Sequence, residues 1–282
     1  MTSASLNEAV GAELFFKCEN FQRTGSFKLR GAMNATLQLS QDVSTVVTHS
    51  SGNHGAALAF AARACGKTAM VVVPKDARPE KRLAIERLGA EVVDCGEKLA
   101  DREAVLAEVM ASQPEAVFVP PYDHAEIIAG QGTAAFELLE EVGDLDQLWV
   151  PVGGGGLAAG TTIVANGQID VICAEPELAR DAHDSLAMGD LQPAMPPHTV
   201  ADGLRTALGK LNFEILRQNR VAVVLVDDEA ILRAMGLIWN RLKIVVEPSA
   251  AVCLAAMLLD PQRVAKRAGI ILSGGNISPP KP

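Results

Sequence analysis

The sequence predicts an α/β fold: two lobes built on parallel-rich sheets covered by helices. Three observations predict it. Short apolar runs end at glycine or polar turns and are followed by helical patterns, the alternation that produces βαβ units. The 282 residues are 49% hydrophobic but only 4% aromatic, a bias towards small aliphatic side chains that suits strands buried on both faces. A chain of this length also fills one large domain or two lobes, each with its own core.

The elements follow in order. The run 43–48 reads as a strand leading into Ser50-Ser51-Gly52-Asn53-His54-Gly55 and then a helix over 56–65. A strand over 68–73 precedes a helix over 79–88, which opens on proline, a residue suited to a first helical turn. A short strand over 91–93, a helix over 99–112 and a strand over 116–119 come next. Pro120-Pro121-Tyr122 then marks a return from one lobe to the other. A helix over 126–141 and a strand over 148–152 lead straight into four glycines, Gly153, Gly154, Gly155 and Gly156. The expected division is a larger lobe from 1–44 and 125–282 and a smaller one from 45–124.

Composition excludes several functions. Net charge is −9 with no basic cluster, so neither nucleic acid nor an anionic membrane is an expected partner. No apolar run is long enough to span a bilayer, and the N-terminus lacks the order of a signal peptide. The five cysteines show no CxxC and no close pairing. They read as buried apolar side chains in a reducing compartment, and a cytoplasmic protein is expected.

The chemistry-bearing residues lie at strand ends, where open parallel sheets bind ligands. Lys28, in Thr24-Gly25-Ser26-Phe27-Lys28, carries an amine that can form a Schiff base with an aldehyde such as pyridoxal phosphate. A solvated lysine would look the same in isolation. Glycines at 153–156, after a strand and before a helix, let backbone amides approach a phosphate at a helix N-terminus. An ordinary tight turn would also place glycines there. Gly153-x-Gly155-x-x-Ala158 further satisfies a relaxed dinucleotide fingerprint, with Glu175 about twenty residues on where a ribose-binding acid would sit. Ser50 to Gly55 offers hydroxyls and consecutive amides that suit a substrate carboxylate, although an N-cap serine alone would explain one hydroxyl.

The phrases Phe16-Lys17-Cys18-Glu19, Gly25-Ser26-Phe27-Lys28, Ser50-Ser51-Gly52-Asn53-His54-Gly55, Ala129-Gly130-Gln131-Gly132-Thr133, the glycines at 153–156, Ala174-Glu175-Pro176, Ala201-Asp202-Gly203, Glu247-Pro248 and Ser273-Gly274-Gly275-Asn276 occur in this order. Together they closely resemble serine racemases and serine/threonine dehydratases, pyridoxal phosphate enzymes of the tryptophan-synthase-β fold type. The resemblance implies that Lys28 carries the cofactor and removes the α-proton, with Ser51 as acid or base on the opposite face. It implies that Phe27 backs the cofactor ring, Asn53 meets its phenolic oxygen, Gly153 to Gly156 hold its phosphate, and Ser273 meets its pyridine nitrogen. Ser50, Ser51, Gly52, Asn53 and His54 would hold the substrate. Glu175, the carbonyl of Ala179, and Asp181 match a divalent-cation site of the family, and an all-oxygen set suits Mg²⁺ or Ca²⁺.

The implied activity is a dehydratase or ammonia-lyase acting on small β-hydroxy amino acids (L-serine, L-threonine, 3-hydroxyaspartate), with serine racemisation as companion or main outcome, in a homodimer. A pyridoxal phosphate-binding protein without catalysis and the dinucleotide-binding protein stand as alternatives. Two departures matter. Family members carry a further N-terminal segment before the position of Thr2, which this sequence lacks. Tyr122 stands where mammalian serine racemases have an asparagine. Arg102 resembles an anion-contacting arginine of those enzymes, and a second carboxylate on 3-hydroxyaspartate would suit it.

Overall fold

The computed structural model describes residues 1–50, 52–196 and 198–278. In chain order the elements begin α1 (Ala4–Val10), β1 (Glu13–Cys18), α2 (Lys28–Leu37), β2 (Thr45–His49), α3 (Asn53–Ala64), β3 (Thr68–Pro74), α4 (Pro79–Arg87), β4 (Glu91–Cys95), α5 (Leu99–Ser112) and β5 (Val117–Phe118). They continue with α6 (Ala125–Val142), β6 (Gln147–Pro151), α7 (Gly156–Ala165), β7 (Asp170–Pro176), α8 (Asp181–Met188), α9 (Lys210–Gln218), β8 (Ala222–Val226), α10 (Asp228–Leu242), α11 (Pro248–Leu259) and β9 (Arg267–Leu272).

The chain divides into two compact units, one of Met1–Phe27 with Gln131–Ile277 and one of Lys28–Gly130 with Ser278. The sequence reading put the first boundary later, at 44/45. The division falls after Phe27 because α2 packs along α3 of the smaller unit.

In the larger unit five strands run parallel in the order β1-β9-β6-β7-β8. Every residue of β6 is buried, because helices cover both faces. Trp149, opposite Ile172 and Ile270, belongs to the cluster formed with α10 and α11. Its neighbours Leu148 and Val150 belong to the cluster on the other face, with α6, α7 and α9. Period-two alternation thus feeds two cores from one strand. Each such side chain, fully buried, contributes about 1.5–3 kcal/mol relative to exposure.

The smaller unit repeats the plan with four parallel strands, β4-β3-β2-β5. Val46 and Ala69 face α2 and α3, while Val47 and Met70 face α5. The helix expected over 56–65 already begins at Asn53, so Asn53 and His54 belong to its first turn. The strand expected over 116–119 shortens to Val117–Phe118. All five cysteines are free; Cys95, Cys173 and Cys253 are buried, and Cys18 and Cys65 are partly exposed. No helix among the described residues is long and apolar enough to cross a membrane.

Both sheets put their motifs at a switch in strand order, the expected ligand position. In the larger sheet it lies between β9, which ends at Ser273, and β6, which ends at the glycine run. In the smaller sheet it lies between β2, which leads to Ser50, and β5, which leads to Val119 and Pro120.

Candidate active site

In the larger unit five separated motifs meet. Ser26 pairs with Gly274 in an antiparallel bridge, the Phe27 amide donates to the Ser273 carbonyl at 3.0 Å, and the Gly275 amide donates to Gly25 at 2.9 Å. The Glu247 amide donates to the Gly274 carbonyl at 3.1 Å. A Cβ on Gly274 would lie 2.9 Å from Glu247 Oε1, and one on Gly153 would lie 2.9 Å from the Leu204 backbone. The Gly153 loop is therefore packed against the segment after Ala201.

The glycine run has the character of an anion seat. Residues 153–156 are all buried. The Gly154 carbonyl turns back to accept from the Gly209 amide at 3.1 Å and from Asn212 Nδ2 at 2.7 Å. The amides of Gly153, Gly154 and Gly155 donate to no group among the described residues. Buried amides are seldom left unpaired, and these three open helix α7, whose dipole adds positive potential. A phosphate fits that donor set. Ser273 is buried, and its hydroxyl makes no hydrogen bond among the described residues. Phe27 packs on the core beneath this sheet.

In the smaller unit Lys28 is the first residue of α2. Its Nζ donates to the Pro121 carbonyl at 2.7 Å and lies 5.8 Å from the ring centre of Tyr122, the single tyrosine of the chain. Burial lowers this amine from 10.5 to about 8. Across the switch point, the Ser50 amide donates to the Val72 carbonyl at 3.0 Å, and Ser50 Oγ accepts from the Gly52 amide at 3.2 Å. Asn53 and His54 open α3. The His54 ring is buried, with Nε2 3.1 Å from the Val119 carbonyl oxygen. Ser51 lies outside the described residues. At the end of β2, His49 stacks on Phe118 with centroids 6.0 Å apart. Burial and then Arg102 lower the His49 pKa. Arg102 donates to the Glu97 carbonyl at 3.1 Å, and its buried Nε makes no hydrogen bond among the described residues.

The acid pair belongs to the larger unit. Glu175 is fully buried on β7, and Asp181, also buried, opens α8. Glu175 accepts from the amides of Ala182 at 3.0 Å and His183 at 2.8 Å, while Asp181 Oδ2 accepts from the Leu208 amide at 2.8 Å. Burial raises Glu175 to about 9 and Asp181 to about 6, with neighbouring carboxylates adding to both. Neither forms an ion pair among the described residues. Ala179 closes the turn between them. No group of three or more His, Cys, Asp or Glu side chains gathers as a metal site among the described residues.

The ribose-binding alternative for Glu175 does not stand. Both carboxylate oxygens are engaged at the start of α8, and no surface is left to offer a sugar. Glu247 was not expected as a site residue. Glu-Pro at a helix start reads as an ordinary N-cap before a first-turn proline, and only the pairing of Glu247 with Gly274 brings it to the Ser273 turn.

A family model described as "Pyridoxal-phosphate dependent enzyme" matches residues 1–274. The chain is 46% identical to a serine racemase of Dictyostelium discoideum, the alignment covering 98% of this chain and 88% of that protein. A crystal structure of serine racemase from that organism, 45% identical, superposes with a TM-score of 0.93 over 99% of this chain and 92% of that one. The chain is 42% identical to an L-threo-3-hydroxyaspartate ammonia-lyase of Saccharomyces cerevisiae, over 98% of this chain and 87% of that protein. A structure of maize serine racemase is 40% identical with a TM-score of 0.95, over 99% and 88% of the two chains. A bacterial-type match of the same quality is a threonine deaminase from T.th., 40% identical with a TM-score of 0.94 over 100% and 93% of the two chains.

Proposed function

This chain belongs to the pyridoxal-phosphate dependent enzymes, and we propose that it converts small β-hydroxy amino acids to 2-oxo acids and ammonia, with interconversion of serine enantiomers as a second outcome. The state of Lys28 carries this reading. An amine at about 8 supplies on the order of a hundredfold more free base near neutral pH than one at 10.5, and a base poised near the working pH is what α-proton removal needs. The relatives named as racemase, ammonia-lyase and deaminase support the same substrate class.

Bound pyridoxal phosphate supplies an electron sink for the pair left at the substrate α-carbon. Lys28 anchors it and moves the α-proton. The amides of Gly153, Gly154 and Gly155, with Gly156 at the helix start, bind the phosphate. Asn53 takes the phenolic oxygen, Phe27 backs the ring, and Ser273 meets the ring nitrogen. A neutral hydroxyl leaves that nitrogen less protonated than a carboxylate would. Ser50, Gly52, Asn53 and the His54 backbone receive the substrate carboxylate. Ser51 gives or takes a proton on the face opposite Lys28, and Arg102 receives a second carboxylate.

The test is a panel of L- and D-serine, L-threonine and 3-hydroxyaspartate, followed for ammonia and for enantiomer. Ammonia release is expected from the L-hydroxy acids. Ser51→Ala is expected to lower enantiomer exchange at least tenfold more than elimination, and Arg102→Ala to lower the 3-hydroxyaspartate to serine ratio. A holoprotein that releases no ammonia and exchanges no enantiomer on any substrate would overturn the reading.

Glu175, the Ala179 carbonyl and Asp181 are proposed to hold Mg²⁺ or Ca²⁺. Two buried carboxylates without a cationic partner among the described residues support this. The ion would order the turn from β7 to α8 and take no part in bond breaking. A cation bound only to the folded state stabilises by about 2.7 kcal/mol at a hundredfold excess over its dissociation constant. The expected result is a rise of roughly 5–10 °C in melting temperature with millimolar Mg²⁺ or Ca²⁺, absent in Asp181→Ala. Identical melting curves with cation and with chelator would remove the ion from the reading.

A further inference from the structure

His54 is buried more deeply than a residue that merely lines a substrate pocket. Only 3% of its surface is exposed, on the first turn of α3. Its Nε2 lies 3.1 Å from the Val119 carbonyl oxygen, which can only accept, so Nε2 bears the proton. Burial first, then Lys28, and also His49 push the imidazole down to about 3, against the opposing Val119 bond. The ring is therefore neutral at physiological pH. Its other nitrogen, Nδ1, is bare, buried and without a hydrogen-bond partner among the described residues.

The carbonyl that His54 holds begins a short, stiff path. β5 ends at Phe118, and the Val119 amide donates back to Val47 at 2.8 Å. Val119 is thus fixed on both sides, by β2 through its amide and by α3 through its carbonyl. Pro120 and Pro121 follow, each with φ locked near −65° and no N–H to bond elsewhere. The Pro121 carbonyl is the group that receives Lys28 Nζ at 2.7 Å. Few soft torsions separate the His54 bond from the Lys28 bond.

We propose that His54 is a positioning residue for the Lys28 amine: its neutral imidazole clamps the Val119 carbonyl, and the Val119-Pro120-Pro121 path carries that constraint to the carbonyl that holds Nζ. The inference rests on the reading of Lys28 as the reactive amine. Neutrality is part of the role. The titratable groups acting on the ring are Lys28 from α2 and His49 from β2, and a permanent cation at position 54 would repel the lysine ammonium.

Two measurements test this without turnover. In apoprotein with ¹⁵N-labelled histidine, the His54 ring, assigned by its loss in His54→Gln, should show the Nε2–H tautomer and no titration between about pH 5 and 9. A His54 signal with a midpoint near the ordinary value of about 6.5 would overturn the proposal. The second measurement is the pH dependence of Lys28 acetylation by trace acetic anhydride in the apoprotein. The wild-type midpoint should lie near 8. His54→Gln, whose amide N–H can reach the same carbonyl, should keep it. His54→Leu, similar in bulk but without a donor, should move it by about half a unit or more. A folded His54→Leu protein with an unmoved midpoint overturns the proposal. Should that variant not fold, the tautomer and the His54→Gln midpoint still decide. Borohydride mapping of the cofactor to another lysine would sink the Lys28 reading instead, and leaves the acetylation result as it stands.

Discussion

Lys28→Ala is expected to lower turnover by roughly a thousandfold or more and to abolish covalent attachment of the cofactor. The amine is asked to do two things, bond the aldehyde and move the α-proton, and alanine supplies neither. Other lysines do not substitute readily: Lys17 is paired with Glu137 and Glu141, and Lys67 donates to the Ser40 and Val43 carbonyls. The apoprotein supplies a second readout. Folding lowers the Lys28 pKa from 10.5 to about 8, so the unfolded chain binds more protons between those values. The cost of burying the ammonium is complete below about pH 8 and is relieved as pH rises towards 10.5. Wild-type apoprotein should therefore gain stability relative to Lys28→Ala across that window. Melting curves at pH 7.5 and about 10 check the sign. Borohydride reduction that marks a lysine other than Lys28 in the wild type would end the assignment.

What the sequence made legible was local. The glycine run, the Ser50 to Gly55 loop and the Lys28 context are contiguous motifs, and each stands at a strand end or helix start in the fold. The strands over 68–73 and 148–152 and the helix over 99–112 were readable because burial on both faces leaves an apolar run and a helix leaves its own period. Less legible was what depends on distant partners. β1 pairs with β9, from the other end of the chain, and no periodicity reports that. The boundary after Phe27 follows from α2 lying on α3, a packing choice that composition does not mark. His54 read as one more polar residue of a carboxylate loop. Its commitment to a carbonyl 65 residues away is invisible until β5 lies beside β2. Glu175 read as a strand-end acid open to a ribose or a cation, and its two bonds into α8 depend on a turn whose geometry the sequence does not state.

Gly155→Ala should weaken binding of pyridoxal phosphate by at least about tenfold and lower the melting temperature by roughly 5–10 °C. Two costs combine. Gly155 has φ +90°, a conformation that L residues adopt at a penalty of roughly 1–2 kcal/mol. An added Cβ would lie 2.6 Å from Leu208 Cδ1 and 2.8 Å from Asn212 Cβ, and such overpacking typically costs about 1–3 kcal/mol. Leu208 could rotate aside, but the Asn212 Cβ is carried by helix α9, whose Asn212 Nδ2 anchors the Gly154 carbonyl at 2.7 Å. Relief of the overlap must therefore move α9 or twist the loop, and either turns the amides of Gly153, Gly154 and Gly155 away from a shared acceptor. Gly167→Ala separates the two costs. Gly167 has φ +67° and nothing within 4 Å of an added Cβ, so it bears the backbone penalty alone, far from the phosphate seat in sequence and at the end of α7. It should melt only slightly lower and bind the cofactor as the wild type does. Titration of each apoprotein with pyridoxal phosphate, followed by fluorescence, distinguishes them. Wild-type affinity in Gly155→Ala would mean that the unpaired amides of this loop are not what holds the phosphate.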